Sequence, residues 1–166
     1  MHYGRRPLVR SLLTLGTPHL STEQYPLGRV KERLDVRDPG APPGVRGSSL
    51  QFANHFYPRG DCFPGVRVVC AVGRSVAGLP LRQALAGRRA GGGWLDAWLA
   101  YEGYKAACGR GDVEGDGVTP VCIAHLPGAH TVVLEGVWHT PRSKQLWYGS
   151  DEVVSRWERY LQEPGP

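Results

Sequence analysis

The sequence predicts an α/β domain built on a small parallel sheet, and three observations carry that expectation. The run Val68-Val69-Cys70-Ala71-Val72 is apolar at every position and is bounded by Pro64 and Gly65 in front and Gly73 behind. A strand with no polar face belongs inside a parallel sheet, where both faces are covered. Two further strand-like runs, 9–15 and 130–137, lie on either side of it in the chain. Helical patterns fill the intervals, at 94–108 and after Ser150, and strand alternating with helix is the signature of parallel β-architecture.

Each element has a local reason. The run 9–15 ends at Gly16 and passes into Gly16-Thr17-Pro18-His19, where Pro18 stops any further ladder. Residues 20–27 read as loop. One or two helical turns over 29–34 would close at the Asp38-Pro39-Gly40 turn signal, and 36–47 should be an exposed, flexible loop. Ser48 can cap a short helix through Phe56, with Leu50, Phe52 and Phe56 as its buried side chains. After the central run, 74–93 is rich in glycine and arginine and is expected to be a second flexible loop. Residues 94–108 form a helix with Leu95, Trp98 and Leu99 on the buried face, and Gly109 stops it. Thr119 and Pro120 suit the start of a short helix over 121–126. Residues 141–149 read as loop. Ser150 caps the last helix, whose first turn carries Asp151 and Glu152 and whose apolar stripe is Val153, Trp157, Tyr160 and Leu161.

The bulk composition narrows the function. At 166 residues and 41% hydrophobic, the chain has the length for one domain with a sizeable core. No apolar run approaches the roughly 20 residues of a membrane span. The basic, then apolar start is not followed by a small-residue cleavage site and is read as a strand, not a signal peptide. The net charge of +5 comes from scattered arginines without interleaved aromatics, which argues against a nucleic-acid partner. The four cysteines show no CxxC spacing and the six histidines no close pairing, so no metal and no cofactor are expected.

The chemistry concentrates at 115–139. Asp116 sits in the turn Gly115-Asp116-Gly117, and His139 directly follows the third strand. A carboxylate and an imidazole on neighbouring strand-end loops can form an acid–base pair, in which the acid fixes the tautomer of the histidine and stabilises its protonated form. Asp112, which also follows a helix in a glycine-rich turn, is the competing acid. His19 could line a substrate cleft or simply brace its loop through a hydrogen bond. His125 and His130 are read as ordinary surface or helix-end residues.

Leu12 to His19 (LLTLGTPH), Glu114 to Pro120 (EGDGVTP), Val133 to His139 (VLEGVWH) and Trp147 to Trp157 (WYGSDEVVSRW) together resemble the C-terminal half of an α/β-hydrolase of the lipase/esterase type. The pattern is similar to lipase-like hydrolases of the green lineage and to the GPI inositol-deacylase group. The resemblance covers most of the chain apart from the loops around Pro39 and Gly91. It implies about three parallel strands with flanking helices, equivalent to the last three of that fold, in one partial domain over 1–166. It also implies Asp116 as catalytic acid and His139 as catalytic base. The N-terminal strands, the nucleophile elbow and the first oxyanion donor would all lie upstream of Leu12, so this chain alone should hydrolyse little or nothing. Whether it is a truncated gene model, a degenerate copy or one piece of a longer protein stays open at this level.

One serine inside the chain competes for the nucleophile's place. Ser75 follows the central strand in Gly73-Arg74-Ser75-Val76-Ala77-Gly78. It is rejected because the last glycine of a G-x-S-x-G elbow is displaced by one position and the following residues make a poor long helix. The expectation is therefore the acid–base part of a serine ester hydrolase acting on an ester or acyl lipid, with peripheral membrane contact as a corollary. The alternative is a non-catalytic scaffold of the same fold that binds a protein or a lipid. Substrate, oligomeric state and compartment are not legible; the green-lineage resemblance points to a plastid, with the cytoplasm otherwise.

Overall fold

The central apolar run extends into an eight-residue strand, β2 (Arg67–Arg74), whose six inner residues are all buried. Residues 9–20, 49–87, 93–141 and 145–162 are described in this computed structural model. β1 (Ser11–Leu15) pairs parallel to one side of β2, in the register Ser11 to Arg67 through Leu15 to Ala71. On the other side β5 (His130–Glu135) pairs parallel, from Val69 against His130 to Arg74 against Glu135. The sheet order is β1-β2-β5, which makes β2 the middle strand and explains why it needs no polar face. The α/β class with a three-stranded parallel sheet is the class expected from the sequence.

Side-chain parity sorts the strand residues into two packed layers. Val69 and Ala71 of β2, with Val132 and Leu134 of β5, face a cluster completed by Val137, Tyr148 and Val153. Val68 and Cys70 face the opposite way, onto Leu126, with Leu12, Phe63 and Ala129 alongside. Val153 belongs to α4 (Asp151–Trp157), which runs into the short α5 (Arg159–Gln162). Trp157 and Tyr160 pack against the first cluster as expected, but Leu161 is exposed.

The segment expected as a flexible loop over 74–93 contains regular structure instead. The end of β2 passes into a two-residue strand, β3 (Val76–Ala77), which pairs antiparallel with β4 (Glu114–Gly115). A helix, α2 (Leu81–Gly87), follows. Pro80 starts this helix instead of breaking it: its carbonyl accepts from the amides of Gln83 and Ala84 at 2.9 and 3.0 Å, a role that needs no N–H from proline. Residues 88–92 lie outside the described set.

The next helix, α3 (Trp94–Cys108), has the bounds the sequence predicts and ends at Gly109, whose φ of 82° is open to glycine at little cost. Its orientation is different. The buried face is Ala97, Ala100, Tyr104 and Ala107, while Leu95 and Leu99 are 45% and 47% exposed. Small alanines allow α3 to lie close against its neighbours, and Tyr104 supplies the bulk. Trp98 is half-buried.

Two shorter corrections concern caps. The predicted helix over 121–126 is a single 3-10 turn, Val121–Ile123, with Pro120 at its N-cap. Thr119 does not cap it; its hydroxyl donates 2.8 Å to the Gly16 carbonyl. Ser150 does stand at the N-cap of α4, but its hydroxyl accepts from the Trp147 amide at 3.0 Å, and its carbonyl takes the Val153 and Val154 amides. The short helix expected through Phe56 appears as α1 (Ser49–Phe56), with Phe56 half-buried; its expected cap Ser48 and the side chains of Leu50 and Phe52 lie outside the described set. The helix expected at 29–34 and the loop at 36–47 lie outside the described residues.

The burial pattern of α3 can be checked by paired substitutions. Ala100→Leu should cost about 1–3 kcal/mol by overpacking a closed contact, whereas Leu99→Ala should cost less than about 1 kcal/mol. Urea unfolding of the two variants measures both. The opposite ranking would put Leu99, not Ala100, at the packed face.

Candidate active site

The three parallel strands deliver their C-terminal ends to one place, where open parallel sheets habitually bind ligands. Gly16 follows β1, Gly73 lies near the end of β2, Asp116 follows β4, and His139 follows β5 by a short loop. The chain separates these residues widely; the sheet brings them together.

Asp116 and His139 meet directly. His139 Nδ1 lies 2.8 Å from Asp116 Oδ2. The two loops are also stapled through the backbone, since the His139 amide donates to the Asp116 carbonyl at 2.9 Å. A carboxylate oxygen can only accept here, so the shared proton resides on Nδ1 and the lone pair of the neutral ring is on Nε2. Among the described residues nothing hydrogen-bonds Nε2, and the His139 side chain is 31% exposed. That leaves a base with its working nitrogen turned away from its supporting acid.

The carboxylate is completely buried, and burial of this kind is costly unless every acceptor site is filled. Four donors fill them. The amides of Val118 and Thr119 donate to Oδ1 at 3.0 and 2.6 Å. Oδ2 takes His139 and, at 2.7 Å, the hydroxyl of Tyr148. The Tyr148 oxygen in turn accepts the Gly73 amide at 2.7 Å, and its ring stands edge-on to His139 with centroids 6.0 Å apart. The turn that carries Asp116 is fixed from the other side by Tyr104, which accepts from the Gly117 amide at 2.8 Å and donates to the Val76 carbonyl at 3.1 Å.

Two glycines make room for this cluster. A β-carbon at Gly16 would sit 2.7 Å from both Asp116 Oδ2 and the Tyr148 hydroxyl and 3.0 Å from His139 Nδ1. Gly16 also has a φ of 56° and is pinned at both ends, its amide donating to Ala71 at 2.8 Å and its carbonyl accepting from Thr119. At Gly73 a β-carbon would run into the Val137 carbonyl and lie 3.0 Å from the Asp116 β-carbon.

The electrostatics follow from these contacts. The hydrogen bond that His139 donates to Asp116 holds the imidazole above its ordinary value of 6.5, with burial pulling more weakly the other way. Burial, reinforced by the Asp116 charge, pushes the Tyr148 phenol far up, so Tyr148 remains a neutral donor. Tyr104 is raised in the same way, chiefly by burial.

The other candidates fall elsewhere. Asp112 is exposed and pairs with Arg110 at 3.5 Å. Ser75 turns its hydroxyl to the Gly115 carbonyl at 3.3 Å, and its amide donates to the same oxygen at 2.8 Å. His19 places Nε2 3.0 Å from the Thr14 hydroxyl, a brace from its loop back to β1, and burial followed by the nearby His125 lowers its pKa. Among the described residues no group of three or more metal-ligating side chains is assembled. Tyr148, Gly16, Gly73 and Thr119 were not identifiable as site residues from local pattern; only the motif containing Gly16 gave any signal.

Two outcomes follow. Gly16→Ala should destabilise by at least about 1–2 kcal/mol from its left-handed backbone alone, and should also displace the Asp116–His139 contact; calorimetry and the His139 ring resonances report the two effects. Because the folded pKa of His139 is raised, the contribution of its bond to Asp116 is complete below 6.5 and is lost as pH rises through the elevated folded value. The melting-temperature difference between wild type and His139→Gln should therefore shrink over that interval, and in an Asp116→Asn background it should be flat. A difference that grows with pH would contradict the pairing. No protein-family model, curated protein or solved structure matches the chain, so the site is read from its geometry.

Proposed function

We propose that this chain supplies the acid–base arm of a serine ester hydrolase, with carboxylic esters, acyl lipids among them, as the substrate class. The observation that carries the reading is the buried, fully hydrogen-bonded Asp116 bound to Nδ1 of a His139 whose Nε2 has no partner among the described residues. The arrangement of the strand ends supports it: His139 follows β5, the neighbour of β2 in the parallel sheet, and Asp116 follows β4, whose partner β3 continues from the end of β2.

In this mechanism Nε2 of His139 takes the proton of a serine hydroxyl as its oxygen attacks the ester carbonyl. The imidazolium so formed is stabilised by Asp116 and returns the proton to the departing alkoxide, leaving an acyl-enzyme. Water then repeats the sequence: His139 takes its proton, the hydroxide adds to the acyl carbon, and the serine oxygen leaves with the proton restored. Backbone amides hold the oxyanion at each stage. The serine comes from outside the described residues, and the resemblance places it N-terminal to β1. Ser75 is not in hydrogen-bond contact with His139 and is committed to Gly115.

A fluorophosphonate probe tests this in the polypeptide as the cell makes it. Labelling should map to a serine N-terminal to β1, and Asp116→Asn and His139→Ala should each slow it by about 10³-fold or more. Absence of labelling in the correctly folded protein would overturn the hydrolase reading and favour a binding scaffold. Labelling at Ser75 would overturn the placement of the nucleophile.

A further inference from the structure

Among the described residues, Tyr148 is the side chain that hydrogen-bonds the acid–base pair without a part in the proposed proton transfer. It is 6% exposed, and its hydroxyl is saturated: it donates to Asp116 Oδ2 at 2.7 Å and accepts the Gly73 amide at 2.7 Å. The oxygen it binds is the one that accepts His139 Nδ1–H. Two donors therefore share one carboxylate oxygen, one of them the base itself and the other a phenol that does not titrate in the working range.

We propose that Tyr148 is a positioning residue that sets both the orientation of the Asp116 carboxylate and the basicity of His139. This inference rests on the acid–base reading above. A hydrogen bond from a neutral phenol draws charge from Oδ2 and so weakens the hold of the carboxylate on the imidazolium. At the same time the Gly73 amide, a rigid part of β2, anchors the phenol oxygen, so the carboxylate plane is referenced to the central strand. The Val118 and Thr119 amides fix Oδ1. Of the two donors on Oδ2, Tyr148 is the one anchored on β2, through Gly73. Among the described residues, the titratable groups around His139 and its partner are Asp116 from the loop after β4, Tyr148 from the loop before α4, and Tyr104 of α3, which touches the Asp116 turn through the Gly117 amide.

The consequence is specific in sign. With the phenol proton gone, Oδ2 carries more charge toward His139 and holds the imidazolium more strongly. Tyr148→Phe should raise the His139 pKa, read from its ring resonances, by roughly half a unit to one unit, the size expected for one hydrogen bond to a carboxylate. Site-specific replacement of Tyr148 by a fluorinated tyrosine keeps the packing and strengthens the donor, and should lower the His139 pKa. This second variant covers the case in which the Phe variant fails to fold. A merely structural tyrosine would change stability in both variants while leaving the His139 titration where it is, and that result would overturn the inference. Asp116→Asn is the control that separates the two levels. If it lowers the His139 pKa while the Tyr148 variants do nothing, the inference about Tyr148 fails and the pair stands. If Asp116→Asn also has no effect, the pair itself fails.

Discussion

A carboxylate without solvent access must find its compensation inside the protein, and around Asp116 that requirement dictates the local structure. Its four hydrogen bonds come from four different sources: two amides of its own turn, an imidazole from the loop after β5, and a phenol from the loop before α4. Removing any one leaves a buried acceptor short of a donor, which costs more than an ordinary surface contact is worth. The glycines at 16 and 73 belong to the same requirement. Donors can crowd onto one carboxylate oxygen only if the backbones beside it carry no side chains.

The sheet makes this cluster rigid. β2 is buried on both faces and lies between the other two strands, so it is held by ladder hydrogen bonds on both sides. Gly16 is tied to β2 through the Ala71 carbonyl, Tyr148 through the Gly73 amide, and Asp116 to the loop after β5 through the His139 amide. The functional groups are therefore on loops, but the loops are referenced to one strand. Such an arrangement keeps the imidazole in one tautomer and one orientation, which is what a general base needs before any substrate arrives.

The sequence made the scaffold legible wherever a strong local signal coincided with burial. The run from Val68 to Val72, apolar at every position, read as an inner strand, and the Trp94–Cys108 helix has both its length and its glycine stop written in. The face of that helix was misread because Leu95 and Leu99 are the larger apolar residues, while the contact is close enough that only Ala97, Ala100 and Ala107 fit. Arg82 and the glycine-rich composition hid α2, whose start depends on the carbonyl of Pro80 and not on any side-chain pattern. The meeting of Asp116 and His139 was legible because Asp116 sits in a glycine-flanked turn and His139 directly follows a strand signal. Tyr148 was not: it lies 32 positions from Asp116 in a loop with no periodicity, and only the tertiary fold shows that its hydroxyl completes the carboxylate.

The most direct measurement of the central claim is the tautomer of His139 in its neutral form, read from the ring nitrogen chemical shifts above its pKa. The account predicts a proton on Nδ1, coupled to the Asp116 carboxylate, and a bare lone pair on Nε2. A neutral ring protonated on Nε2, with Nδ1 free of any donor role, would contradict it, because the imidazole would then have no bond to the acid and no basic nitrogen to offer a hydroxyl.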